Sequence, residues 1–203
     1  MPRPSLSITQ IKVEKEINKL DSVLNGTQAL PANLQYLIAE ILLIRVTTIF
    51  EDALAQLAYK LAAGALYLDG SAPNILLPCR SLASARTNML THNRASPLQS
   101  LRWTRAKYIK ESVQFVIDPT DDLISTCGRH GSKISEIFKV RNFAAHRTAS
   151  SRKNFKTVIK SIYGTNRNMQ LGNFLLSSNY VRTPNLRRYF VEVKVIVNDC
   201  VKL

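Results

Sequence analysis

The 203-residue sequence is poor in cysteine. Its three cysteines, Cys79, Cys127 and Cys200, are far apart and form no CxxC pair. This spacing argues against a zinc ribbon and favours a reduced compartment. A chain of this length buries enough apolar surface to hold a core without disulfides or a structural metal.

Long uncharged apolar runs and a leader-like start are also missing. The longest apolar stretch, residues 34–50, is interrupted by Glu40 and Arg45, which argues against a membrane span. The first ten residues, MPRPSLSITQ, lack the apolar segment of a signal peptide. We therefore expect a soluble cytoplasmic protein with no membrane partner.

Acidic residues are scarce in two parts of the chain, residues 80–117 and 137–203. The sequence has 28 basic and 14 acidic residues, a formal net charge of +14. Residues 1–79 hold 6 basic and 7 acidic residues, whereas residues 137–203 hold 13 and 2. This asymmetry favours a polyanionic partner, and the bidentate pairing of arginine with phosphate favours nucleic acid. A basic surface that only aids solubility is the alternative.

Apolar residues recur at helical spacing along most of the chain, which predicts an all-α fold. The pattern predicts helices over about residues 8–24, 31–63, 80–90, 96–115, 119–127, 132–146 and 155–162. Residues 189–197 fit either a strand or a helix, and we favour a helix because a lone strand would have no partner. We expect a helical domain over residues 1–163, with residues 164–203 as a basic extension packed on the same domain.

The segment RNFAAH, residues 141–146, carries the candidate chemistry. On a helix, Arg141 and His146 lie about 140° apart, while Asn142 and His146 stack one turn apart. Histidine can move protons near neutral pH, and arginine can neutralise phosphate charge. The pair suits metal-free cleavage of RNA by its own 2′-hydroxyl. On spacing alone, surface and capping roles are the commoner ones for such a pair.

RNFAAH resembles the Arg-x4–6-His motif of the HEPN superfamily, in the form with a polar residue directly after the arginine. It follows a long apolar helix that contains Glu51, and the resemblance covers about residues 6–163. The resemblance implies that His146 acts as general base or acid, that Arg141 binds the scissile phosphate and that Asn142 orients the site. It also implies that Glu51 holds Arg141 or His146, although a surface role for Glu51 is equally open.

The same resemblance implies a metal-independent endoribonuclease without a cofactor, acting as a toxin or anti-phage defence effector. HEPN proteins usually form homodimers in which two motif helices face each other across one cleft. RNA would be the substrate, and an antitoxin or defence-system protein a further partner. The alternative is a catalytically inactive HEPN-like subunit that binds nucleic acid or serves in assembly.

Two groups of basic residues are candidates for RNA contacts. One directly follows the motif and comprises Arg147, Arg152, Lys153 and Lys156. The other comprises Arg102 and Arg105, which are interleaved with Trp103 and Tyr108. Basic and aromatic side chains together suit single-stranded RNA, although we expect Trp103 itself to lie in the core. His92 and His130 are expected at the surface, and no residues show metal-ligand spacing.

Overall fold

A computed structural model gives the fold and describes residues 3–178 and 182–202. Over these residues the fold is all-α, as the sequence predicts. The helices are α1 (Leu6–Gly26), α2 (Ala32–Ala62), α3 (Leu82–Thr91), α4 (Ala106–Val113), α5 (Asp122–Arg129), α6 (Gly131–His146), α7 (Ala149–Tyr163), α8 (Leu171–Leu176) and α9 (Asn185–Val201). None of these helices, within the part of the chain described, has the length and apolarity that a membrane crossing requires.

Helix boundaries follow the sequence pattern where the apolar periodicity is long. α2 closely matches its predicted range, and residues 189–197 are helical within α9. α6 begins at Gly131, one residue before its predicted start and almost directly after α5. The short α8 lies in a stretch whose weak pattern predicts no helix.

The helix predicted from residue 96 is wrong over residues 97–105, and only α4 forms. Hydrogen bonds from side chains tie this part of the chain to α4 instead. The Arg102 N–H donates to Ser112 Oγ at 2.9 Å, and the Arg94 guanidinium donates to two carbonyls of α4 at 2.8 and 3.0 Å. Trp103 is buried, as expected. These anchors, which periodicity does not reveal, keep the segment non-helical.

The described chain divides into two compact units. The first unit comprises residues 3–14, 50–135 and 195–202, and the second unit comprises residues 15–49, 136–178 and 182–194. Four helices, α1, α2, α6 and α9, contribute residues to both units. The whole RNFAAH segment belongs to the second unit.

Buried polar side chains organise the first unit. Asp121 accepts hydrogen bonds from the Tyr67 hydroxyl at 2.5 Å and from the Asn74 N–H at 2.8 Å, and it also caps α5. Lys60, on α2, donates to the Ser5 carbonyl at 2.8 Å. Burial lowers the pKa of Lys60 and raises the pKa of Tyr67. These bonds satisfy groups that would otherwise cost free energy inside the core.

Stacked aromatic rings form the core of the second unit beside the motif. Phe143 of α6 stacks on Phe155 of α7 with ring centroids 4.8 Å apart, and Phe155 meets Phe174 of α8 edge-on at 5.1 Å. Thr148 caps the start of α7, and Gly164 ends it with a φ of 71°. The motif helix therefore packs against α7, which packs in turn against α8.

A half-buried charge cluster joins α9 to α6 within the second unit. Arg188 Nη2 lies 2.5 Å from Glu136 Oε1, and the Tyr189 hydroxyl donates to the same oxygen at 3.1 Å. Arg188 also pairs with Glu192 at 3.1 Å. Removing one partner from such a cluster would leave a half-buried charge uncompensated. Part of the predicted extension therefore holds the helix that carries the motif.

Residues of α1 and α9 that are far apart in sequence also meet in the second unit. Arg187 Nε lies 2.9 Å from Asp21 Oδ1, and Lys194 Nζ donates to Asn18 Oδ1 at 2.6 Å. These polar pairs join α9 to the second half of α1. The unit is thus closed by residues separated by 166 and 176 positions in sequence.

The buried phenol of Tyr189 is expected to make the folded protein less stable at high pH. Burial, with a smaller contribution from Glu136, raises the pKa of the Tyr189 phenol well above its ordinary value. Above about pH 10 the unfolded chain loses this proton while the folded chain keeps it, so stability falls as pH rises, by about 1.4 kcal/mol per pH unit. Urea titrations from pH 9 to about pH 11 measure this slope. Tyr189→Phe should flatten it by that amount, and an unchanged slope would contradict the assignment.

Candidate functional site

The last three turns of α6 position the motif in the second unit. Ile137, Phe138, Val140 and Phe143 are buried there. Arg141 follows Phe138 by three residues and Ile137 by four, so it shares their buried face. Its side chain is accordingly half-buried.

The hydrogen bonding of Arg141 is incomplete within the described chain. Its Nη1 donates to Asn142 Oδ1 at 3.3 Å, while its Nε is buried and has no hydrogen-bond partner there. A buried polar atom without a partner costs about 1–3 kcal/mol. A guanidinium with donors to spare, partly shielded from water, is suited to a phosphate or carboxylate.

His146 is the final residue of α6 and is exposed. Asn142 lies one turn earlier on the same face and is half-buried, and Ala145 is exposed beside His146. The imidazole is therefore open to solvent and to a large substrate. The structure thus places Arg141, Asn142 and His146 on one stretch of helix, the arginine towards the interior and the histidine at the surface.

Arg147 ends the motif helix and is held by the chain itself. Its φ of 48° is in the left-handed region, which disfavours continuation of the helix. Its guanidinium forms an ion pair with Glu40 of α2 and lies 4.7 Å from the centre of the Phe143 ring. The sequence predicts an RNA contact for Arg147. In the structure Arg147 is also held by Glu40, a residue that the sequence pattern does not connect with the motif.

The basic residues of α7 form an exposed stripe. Arg152, Lys153 and Lys156 are all exposed, and Lys160 continues the stripe one turn further. Residues 152, 156 and 160 are four apart and therefore lie on one face. Positive charge thus extends along α7, directly after the motif.

The other predicted residues lie in the first unit. Glu51 is half-buried on α2, and its role opposite the motif stays a prediction. Arg102 lies over the Tyr108 ring at 3.9 Å and pairs with Glu111 at 3.2 Å. Arg105 approaches the same ring at 5.5 Å. Both arginines thus lie against the Tyr108 ring, which the sequence predicts to stack on RNA bases. The RNA contacts of both arginines stay predictions.

Neither other histidine lies in the motif helix. His130 separates α5 from α6 and lies 2.7 Å from Asp199, and the half-buried His92 forms the C-cap of α3. In residues 3–178 and 182–202, no three His, Cys, Asp or Glu side chains are grouped so that they could hold a metal ion.

Comparison of the chain with protein-family models, with curated proteins and with solved structures gives no match. The structure therefore defines a fold class, all-α, and no family. A proposal about function must be argued from the residues of the site.

Proposed function

We propose that the protein is a metal-independent endoribonuclease of the HEPN type. The observation that carries this proposal is the arrangement at the end of α6. Arg141 is half-buried with an unpartnered Nε, and the exposed His146 lies five residues later on the same helix. The basic stripe of α7 supports the proposal because it can attract an RNA backbone beside this pair.

In the proposed reaction, RNA supplies its own nucleophile. The 2′-hydroxyl attacks the adjacent phosphorus, and the bond from phosphorus to the 5′-oxygen breaks. His146 accepts the proton from the 2′-hydroxyl or gives one to the departing oxygen. Arg141 stabilises the charge that grows on the phosphate oxygens. The products are a 2′,3′-cyclic phosphate and a 5′-hydroxyl.

The proposed biological role is that of a toxin or anti-phage effector in the cytoplasm. Uncontrolled RNA cleavage would harm the cell that makes the protein. A restraining antitoxin or defence-system protein is therefore part of the proposal. The resemblance implies a homodimer in which two copies of the motif face each other across one cleft.

A cleavage assay on single-stranded RNA in the presence of EDTA tests the proposal. Cleavage should persist and should leave a cyclic phosphate, because the residues proposed to act are a histidine and an arginine. A substrate with one 2′-deoxy nucleotide at the cut should stay intact there. Loss of activity on chelation, or cutting at the deoxy position, would contradict the mechanism. Binding without any cleavage would favour the inactive binding or assembly subunit instead.

The stripe on α7 should control RNA affinity independently of sequence. Replacing Arg152, Lys153 and Lys156 with alanine should weaken binding. It should also lower the salt dependence by about 0.7 in slope for each phosphate of a single strand that the variant no longer neutralises. Fluorescence anisotropy at several salt concentrations measures both quantities. A triple alanine variant of Lys12, Lys15 and Lys19 on α1 removes the same charge elsewhere and should have a smaller effect. Equal effects of the two variants would show that only net charge matters.

A further inference from the structure

The first half of α2 is apolar on two opposite faces. Its inner face is buried and consists of Ala39, Leu42, Leu43 and Val46. Its outer face carries four large apolar side chains that are 42%, 54%, 55% and 37% exposed, namely Leu34, Leu37, Ile41 and Ile44. We refer to these four residues as the α2 seam. A helix that is apolar on all sides is normally covered on all sides.

The spacing of the seam is that of a helix-pairing surface. Its residues are separated by three, four and three positions, and Leu30, also exposed, precedes Leu34 by four. Alternating steps of three and four form the a and d positions of a heptad repeat, whose natural cover is another helix with the same repeat. Leu34 and Ile41 occupy a positions, and Leu37 and Ile44 occupy d positions.

The charges beside the seam indicate which helix covers it. Glu40 lies on one flank and Arg45, five residues later, on the other. In two parallel copies of α2, Glu40 of one chain would lie near Arg45 of the other and would share its carboxylate with Arg147 of its own chain. Antiparallel copies would bring like charges together. The Arg45 side chain is 55% exposed, and its pair with Glu16 is long, at 3.6 Å. It is therefore available to a partner.

We propose that a second copy of this chain docks on the α2 seam, with the two α2 helices parallel. Ten residues separate Leu34 from Ile44, so the seam is only about 15 Å long. A seam this short gives a weak interface, and we expect a dimer that dissociates in the micromolar range. The proposal does not depend on the proposed enzymatic activity.

The seam and the motif are neighbours within the second unit. Glu40 flanks the seam between Leu37 and Ile41, and it is paired with Arg147, the residue after His146. A two-fold axis along the seam would place the two motif helix ends at the same level, one on each flank of the interface. This arrangement differs from a dimer in which the α6 helices themselves form the contact.

Sedimentation equilibrium of the full chain tests the interface. Leu37→Lys combined with Ile41→Lys should weaken dimerisation more than about tenfold, since it places charges in the apolar centre. Both side chains are exposed in the monomer, so the circular dichroism spectrum should not change. Ile8→Lys combined with Val191→Lys, at positions 65% and 56% exposed, is the matched control and should leave dimerisation unchanged. A monomeric wild type at about 100 μM, or equal dimerisation of the seam variant, would overturn the proposal.

Cysteine cross-linking tests the direction of the helices. In a parallel dimer Leu37 faces its own copy, so Leu37→Cys in a Cys79→Ser background should form a covalent dimer on mild oxidation. Cys127 and Cys200 are buried and should not contribute. Ala145→Cys reports on contact through α6 instead. Cross-linking of Ala145→Cys but not of Leu37→Cys would overturn the proposal in favour of contact through α6. Cross-linking of Leu37→Cys only when Ile41→Cys is also present would indicate antiparallel helices and would overturn the parallel seam.

Discussion

Replacing His146 with alanine is expected to lower the rate of RNA cleavage by about 10² to 10⁴ while leaving the fold intact. The reason is its placement: the imidazole is exposed at the last residue of α6 and takes no part in the aromatic core. A side chain that carries protons but packs against little can be removed without cost to stability. The measurements are initial rates on a labelled RNA and the midpoint of thermal unfolding.

The matched control for this variant is His92→Ala, which removes a histidine from the end of α3. It should cleave at the wild-type rate. RNA affinity should be similar in His146→Ala and wild type, because phosphate contacts are assigned to arginines and lysines. Wild-type cleavage by His146→Ala would rule out the proton-transfer role. The assembly-module interpretation would then be the better one.

Arg141 should show a comparable loss of rate with a different chemical signature. Arg141→Ala removes the charge that is proposed to stabilise the transition state. Arg141→Lys should recover little, because a point charge cannot replace the planar fork of a guanidinium. Since Arg141 is half-buried with an unpartnered Nε, Arg141→Met should keep or raise stability while abolishing cleavage. Such opposite effects on stability and activity would identify a site residue rather than a packing residue.

Gly172→Ala is expected to destabilise the second unit by about 3 kcal/mol, at the upper end of the usual cost of overpacking. Gly172 lies on α8 against Tyr36 of α2. A Cβ added there would lie 2.6 Å from Tyr36 Cα and closer still to Tyr36 Cβ, which no relaxation of a side chain can relieve. The backbone of α8 must move instead. The measurement is the free energy of unfolding from urea titration.

Gly128→Ala provides the control, because a Cβ at this position in α5 has no heavy atom within 4 Å beyond its own helix. Alanine there should stabilise the protein by up to about 1 kcal/mol, through the better helix propensity of alanine. Replacement of glycine by alanine is thus expected to lower the free energy of unfolding at position 172 and to raise it at position 128. Equal effects would show that the close approach of α8 to α2 does not exist in solution.

The sequence predicts the fold well where a helix carries its own signal. α2 combines a long apolar pattern with Pro31 before it and Gly64 after it, so both of its ends are marked. Residues 97–105 have a helical composition, yet bonds from Arg94 and to Ser112 override it. α8 is only six residues long, so its pattern is too short to identify. The local sequence pattern fails to predict the structure where side chains from other segments determine the backbone conformation.

For the candidate site, too, the sequence predicts the local geometry but not the long-range contact. Helical arithmetic on residues 141–146 correctly separates Arg141 from His146 and stacks Asn142 with His146. It cannot show that Arg147 pairs with Glu40, since those residues are 107 positions apart. The interruption of an apolar stretch by Glu40 is the one visible signal. In the sequence alone, that interruption indicates only that the stretch does not span a membrane.

The closure of the second unit by contacts between α1 and α9 has a consequence for how the protein is made. Asp21 is synthesised 166 positions before its partner Arg187. Contacts of such long sequence separation slow folding, because the loop must close before the contact stabilises anything. Glu136 likewise has no charge partner until Arg188 is added, 52 positions later, so the helix that carries the motif is made well before the residue that pairs with it. A growing chain therefore cannot complete the second unit before α9 has been synthesised, and a chain interrupted before α9 would never complete it.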